Sequence, residues 1–272
     1  MVNGYEIFDF HTHVFPDAIA ARAIAGLEQT SGMTAQTDGT KNGLLDTMRQ
    51  SGTDHAVILP VATKSSQFES VNRFAKELDT LPNITCFAGF HPDCEQPEQK
   101  LAALKQAGFK GIKLHPDYHD CFADDARYMR IVDCCIDLGL YVTFHAGYDP
   151  LSPNTIHADT EHLCRLLDAV RAEQRPTRII LAHLGSFKHP ERSLNHLVGR
   201  NVFFDTSCYA VSWTTEQIKA LIARHGADRI LYATDTPWSN MKESIAFWLA
   251  LDVDDGIRRQ ILSGNAKRLL GL

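Results

Sequence analysis

Short apolar runs alternate with longer amphipathic stretches along the whole chain. The runs at 5–10, 56–60, 84–90, 109–114, 140–144, 178–182, 202–205 and 229–233 are rich in Val, Ile, Leu, Phe and Tyr. Each is bounded by Gly, Pro, Asp or His, which predicts strands. Between them, helical spacing predicts helices near 17–29, 66–78, 97–106, 124–138, 159–172, 191–198 and 215–223. A last helical stretch runs from about 241 through 259 to 270. Gly139 and Gly226 stand at expected helix C-caps, each just ahead of a new strand. Near-continuous apolar strands alternating with helices imply a parallel sheet covered on both faces.

Eight such strands fit a closed (β/α)8 TIM barrel, which takes about 250 residues and so nearly exhausts a chain of 272 residues. The expectation is α/β, with one domain over 1–272. An open doubly wound sheet is the alternative, but no glycine-rich dinucleotide or phosphate loop follows any strand. The long non-periodic stretch 30–43 would hang from the loop after the first strand, as a candidate lid over the barrel mouth.

Composition narrows the function classes. Apolar residues make up 44% and charged residues 22%, which is ordinary for a globular protein. With 27 Lys and Arg against 33 Asp and Glu, the net charge of −6 gives a polyanion no attraction. Nucleic acid is therefore not expected as a partner. The longest apolar stretches fall far short of the roughly 20 residues of a membrane helix, and the N-terminus has neither a basic start nor an apolar signal core. A cytoplasmic location without membrane contact is expected. The seven cysteines are odd in number and lack C-x-x-C spacing, so reduced thiols are expected rather than a disulfide framework or thiolate cluster.

Histidine changes the picture. The strand ends read Asp9-Phe10-His11-Thr12-His13, Gly89-Phe90-His91-Pro92, Lys113-Leu114-His115-Pro116, Phe144-His145-Ala146-Gly147, Ala182-His183-Leu184-Gly185 and Ala233-Thr234-Asp235-Thr236-Pro237. In a parallel barrel all these ends open on one face. His11 and His13 are two apart, so strand alternation points both imidazoles the same way, about 7 Å apart along the strand. His145, His183 and Asp235 arrive at the same rim.

Three neutral imidazoles and one carboxylate leave a divalent ion with a net charge of +1, enough to polarise a bound oxygen. A zinc ion so held lowers the pKa of bound water from 15.7 to about 7. His11, His13, His145 and Asp235 are the expected ligands, with one zinc favoured and manganese or iron as alternatives. A two-metal site is the second possibility, with carbamylated Lys113 as the bridge and His183 as a ligand. With one metal, His183 is free to move protons and Asp235 doubles as a base. His115 and His91 are candidate substrate contacts, as is Lys113 for a substrate carboxylate. Tyr148, Trp213 and Trp238 lie just past strand ends and are candidate pocket walls.

The ordered motifs Asp-Phe-His-Thr-His, Gly-Ile-Lys-Leu-His-Pro, Phe-His-Ala-Gly, Leu-Ala-His-Leu-Gly and Tyr-Ala-Thr-Asp-Thr-Pro resemble the amidohydrolase superfamily. The closest branch is the amidohydrolase-related (amidohydrolase 2) group, which includes aminocarboxymuconate-semialdehyde decarboxylase-like enzymes. The C-terminal Ile261–Leu272 segment resembles that group's ending. The resemblance implies that His11, His13, His145 and Asp235 hold a metal, commonly zinc, and that His183 acts in catalysis or binds a second ion. Members include hydrolases of amides, lactones and esters, and also decarboxylases. Two other families share the H-x-H opening. Phosphoesterases of the polymerase-and-histidinol-phosphatase type close on an Asp-x-His pair, where this chain has Asp235-Thr236-Pro237. TatD-like nucleases carry a glutamate after the fourth strand that this chain lacks.

These readings combine into one expectation: a metal-dependent hydrolase acting on a small, carboxylate-bearing metabolite. A non-oxidative decarboxylase on the same scaffold is the alternative, and a non-catalytic metabolite binder is a further one. A homo-oligomer formed through apolar positions of the last helices is left open.

Overall fold

The structure is a computed structural model describing residues 1–272. It has nine strand segments: β1 (Phe8–Thr12), β2 (His55–Ile58), β3 (Ile84–Cys86), β4 (Ala88–Gly89), β5 (Gly111–Leu114), β6 (Tyr141–Phe144), β7 (Ile179–Leu181), β8 (Phe203–Asp205) and β9 (Ile230–Leu231). All pairings are parallel, in the orders β1-β2-β3 and β4 through β9. Phe87 separates β3 from β4 and donates its N–H to the Ile58 carbonyl, so the two segments act as one interrupted strand. The ring closes where Phe10 N–H bonds the Tyr232 carbonyl and a parallel bridge joins Thr12 to Thr236. Eight barrel strands result, as expected.

Two apolar layers hold this ring. The inner one includes Phe10, Phe87, Ile180, Phe203 and Leu231, with Ala266, Leu269 and Leu270 of the helix Asn265–Leu270 packed against them. The outer layer of 54 buried residues lies between strands and helices and includes Ile112, Leu114, Val142, Leu163 and Trp248. Apolar burial of this extent stabilises by about 25 cal/mol per Å2 before chain entropy is offset. Gly111 faces inward with the Phe87 ring pressed on it; a Cβ there would lie 2.4 Å from that ring. The pairing register of β1 shifts between Asp9 and Thr12, and His11 reaches the mouth although its neighbour Phe10 belongs to the inner core.

Two expectations change. The stretch 30–43 is not one loop: the helix Asp17–Ser31 runs into it, and an unanticipated helix Lys41–Ser51 starts within it, with Thr40 capping Gly43 N–H. The intervening loop is tied to the barrel by Gln36 N–H to the Pro237 carbonyl and Phe15 N–H to the Gly39 carbonyl. The last helical stretch is broken into Met241–Ala250, Asp255–Arg259, a π-helical turn at Gln260–Gly264 and Asn265–Leu270. Its apolar positions Met241, Ile245, Trp248, Ile261 and Leu262 are core rather than an open dimer face. All seven cysteines are free thiols, and no helix is long and apolar enough to cross a membrane.

The packed shell also buries neutral histidines. His225 accepts the Gly199 N–H through Nδ1 and donates Nε2–H to the Val202 carbonyl, both at 3.0 Å, which leaves no ring nitrogen for a second proton. Burial, with the Arg229 charge, pushes its pKa down to about 4. Burial does the same to His55 and His119, each lowered to about 4. As pH falls from 6.5 towards 4, the unfolded chain takes up protons that the folded chain refuses, so stability falls. We expect His225→Gln to flatten the slope of unfolding free energy against pH in that window by up to about 1.4 kcal/mol per pH unit. Urea unfolding at pH 6.5, 5.5 and 4.5 reads this directly, and an unchanged slope would contradict it.

Candidate metal centre and active site

The carboxyl ends of the strands bring three ligand atoms to one point. His11 Nε2 and His13 Nε2 lie 3.0 Å apart, and Asp235 Oδ1 lies 3.3 Å from the first and 3.1 Å from the second. The outer faces of both rings are committed. His13 Nδ1 lies 2.8 Å from the Leu59 carbonyl, which can only accept. His11 Nδ1 lies 2.8 Å from Asp205 Oδ2, a buried carboxylate. Both Nδ1 atoms therefore carry the proton and both Nε2 lone pairs face the Asp235 oxygen. Three electron-pair donors at this spacing need a shared positive charge. Lys113 Nζ lies 3.3 Å from His11 Nε2.

A second pair repeats the pattern. His183 Nε2 and His145 Nδ1 are 3.1 Å apart. The outer His145 Nε2 faces the Tyr148 carbonyl at 3.2 Å, and His183 Nδ1 faces Ser207 Oγ at 2.9 Å. Ser207 gives its own proton to Asp205 Oδ1, so it accepts from His183. The inner nitrogens then face each other with room for one proton or one cation between them. His115 stacks on His145 with ring centroids 4.2 Å apart, and both Nε2 atoms lie within 3.7 Å of Asp149 Oδ2.

The backbone at these positions is unusual for non-glycine residues: His183 has φ +56° and Asp235 φ +67°, both left-handed. Such conformations cost roughly 1–3 kcal/mol each and persist where surrounding contacts impose them. Asp235 N–H donates to the His11 carbonyl, and His183 N–H to Asp205 Oδ1, which fixes both turns.

Electrostatics follow burial and pairing. Burial would raise the Asp235 carboxyl, but the adjoining imidazoles, His11 first and then His13, outweigh it and hold the group well below the usual carboxylate range. The same balance, set by His11, keeps Asp205 ionised. Burial pushes Lys113 down to about 8 and drives His11, His115 and His183 down, keeping these imidazoles neutral and able to donate electron pairs.

A cavity of about 620 Å3 opens over this cluster. His11, His13, Lys113, His115, His145, His183 and Asp235 all line it, as do Met33 of the loop after the first helix, Tyr118, Asp149 and Trp238. The expected site residues are thus brought together with one exception. His91 does not line the cavity: its Nδ1 accepts the Asp93 N–H and its ring packs on His119. Tyr148 and Trp213 also lie off the wall. Of the expected ligands, His145 stands apart from the His11–His13–Asp235 group and contacts His183 instead. Sequence reasoning overlooked Asp205, although it ends β8 at the same rim, Ser207 and Cys208 in the turn after it, and Asp149 in the turn after β6. A second cavity of similar size at the opposite end of the barrel is lined by ion-paired groups, such as Lys267 with Glu6.

The sequence model of the amidohydrolase family matches residues 8–272, and the chain belongs to that family. No curated protein sequence matches it. Similar solved structures share the barrel. An uncharacterised TIM-barrel protein from Bordetella bronchiseptica is 20% identical at a TM-score of 0.75, covering 98% of each chain. The 2,6-dihydroxybenzoate decarboxylase from Rhizobium is 17% identical at 0.73, covering 98% of this chain and 99% of that one. A dihydroxybenzoic acid decarboxylase from Polaromonas, with bound manganese and 2-nitroresorcinol, is 15% identical at 0.70, covering 98% and 97%.

Asp205 sets the His11 tautomer, so Asp205→Asn is expected to weaken divalent-metal affinity by about 10–100-fold while leaving the fold intact. Competition against a chelator, with circular dichroism as the fold control, measures this. Unchanged affinity would show that the tautomer is set elsewhere.

Proposed function

We propose that this protein is a metal-dependent, non-oxidative decarboxylase of a small aromatic carboxylate. The observation that carries the proposal is the mixed lining of the cavity. The facing donors of His11, His13 and Asp235 and the Lys113 amine cluster in it, and Phe15, Ile19, Val71, Phe74 and Trp238 are among its other lining residues. An acid with an apolar ring matches both kinds of lining. Similar barrels named for their reactions support the lyase over the hydrolase expected from the sequence: one binds 2,6-dihydroxybenzoate and another is a 5-carboxyvanillate decarboxylase. The charge accounting behind the hydrolase reading is common to both reactions, so it does not weigh against the lyase.

The residues fit a divalent ion because their lone pairs already converge and their outer nitrogens are locked. His11, His13 and Asp235 would hold it, with His145 as the fourth candidate. Bound there, such an ion supplies positive charge to a substrate's carboxylate and neighbouring oxygens. Two nitrogens and a carboxylate suit manganese, present in three similar structures, as well as zinc, so the zinc expectation is broadened to a divalent ion.

The chain's own residues then divide the work. Lys113 Nζ, buried beside His11, offers a cation to the substrate carboxylate. The apolar wall excludes water from the ring. In the reaction the bond between ring carbon and carboxylate breaks, CO2 leaves, and the ring carbon takes up one proton. His183 is the proposed donor, through Nε2. Nε2 faces His145 Nδ1 at 3.1 Å with room for one proton, which is taken up from solvent for the step, and burial of the ring, which disfavours its charged form, helps His183 give that proton up to the ring carbon.

Manganese-loaded protein incubated with a panel of hydroxybenzoates, lactones and amides is expected to release CO2 from the carboxylated phenols and no acid from the others. His183→Asn should lower kcat by about 10²–10⁴-fold with metal content unchanged, and Asp235→Asn should lose turnover with the fold retained. Acid release from an amide or lactone, without CO2 from any carboxylate, would restore the hydrolase.

A further inference from the structure

Asp235 faces two donor groups. Its Oδ1 meets the His11 and His13 nitrogens, whereas its Oδ2 receives only the Cys208 thiol, with Sγ 3.3 Å away. A thiol is a weak donor for a buried carboxylate oxygen. His183, Cys208 and Asp235 bring ligand atoms within 4.8 Å of one another, as His11, His13 and Asp235 do on the other side. Cys208 is 5% exposed, lines the cavity, and has only Ser239 Oγ, at 3.7 Å, as a further polar neighbour.

We infer that His183, Cys208 and Asp235 form a second cation site, selective for soft divalent ions such as cadmium or zinc, with Asp235 bridging the two sites. Softness decides the selectivity: thiolate sulfur favours cadmium and zinc, whereas manganese prefers oxygen and nitrogen. The ion displaces the thiol proton, which passes to solvent, and the sulfur–metal bond takes its place. Occupancy also engages His183, the proposed proton donor. A soft ion at this site therefore blocks the chemistry that the first site supports. The inference rests on the His11–His13–Asp235 centre but not on which reaction that centre runs.

The test uses full-length protein freed of metal and then equilibrated with excess manganese or excess cadmium. Metal counting is expected to give one manganese per chain but two cadmium ions. The cadmium form alone should show thiolate-to-metal charge-transfer absorption in the ultraviolet. Cys208→Ser should lower the cadmium count from two to one and remove the absorption, with circular dichroism confirming the fold. Should that variant not fold, alkylation of the wild-type protein decides. Protection of the Cys208 peptide by cadmium but not by manganese supports the site, and equal labelling in the two forms overturns it. One cadmium per chain without the absorption, or the same absorption in Cys208→Ser, also overturns it. Failure to bind either ion would instead strike the first centre.

Discussion

The structure turns on electron pairs pointed at one another. Nε2 of His11, Nε2 of His13 and Oδ1 of Asp235 meet within 3.3 Å, and each ring has already spent its proton on an outer acceptor, Asp205 or Leu59. Buried in a medium of low polarity, such an arrangement is stable only around a positive charge. The distribution of neutral imidazoles and ionised carboxylates at the mouth follows from that need. Asp205 stays charged to hold His11, Ser207 hands its proton to Asp205, and His183 then donates to Ser207.

A barrel is well suited to creating this arrangement because its strands deliver side chains from distant parts of the sequence to one ring. His11 and Asp235 lie at opposite ends of the chain but on neighbouring strands, joined by a backbone hydrogen bond from Asp235 N–H to the His11 carbonyl. The turns just beyond the strands are tightly packed. Gly147 lies so close to the Phe187 backbone that a Cβ would come within 2.1 Å of its nitrogen, at a φ of +95° that also favours glycine. This contact brings the turn after His145 against the turn after His183. Ser193 Oγ donates to the Leu184 carbonyl and secures the second turn from the outside.

Most of the fold was legible because parallel barrel strands are short, apolar and bounded by turn residues, and because helix spacing survives between them. The boundaries that moved have physical reasons. The first strand ends at Thr12 rather than at residue 10 because backbone pairing continues through polar residues that hydropathy excludes. The helix Lys41–Ser51 went unread because only Leu44, Met48 and Ser51 are buried and an Asn-Gly pair opens it. Of the site, the histidines and Asp235 stood out through their shared place at strand ends. Asp205 occupied an equivalent place, but a lone carboxylate after two phenylalanines gives no periodic signal. His91 shared the strand-end position and still missed the cavity, since the local turn directs its ring towards His119. Whether His145 completes the first group or pairs with His183 depends on ring orientation, which sequence does not encode.

Pulsed electron paramagnetic resonance of the manganese-loaded protein is the most direct check on the convergence at the mouth. The account predicts one manganese per chain with nitrogen couplings from at least two imidazoles, and the loss of one such coupling in His13→Ala. A manganese signal with oxygen ligands alone, or full-length folded protein that retains no divalent ion, would contradict it.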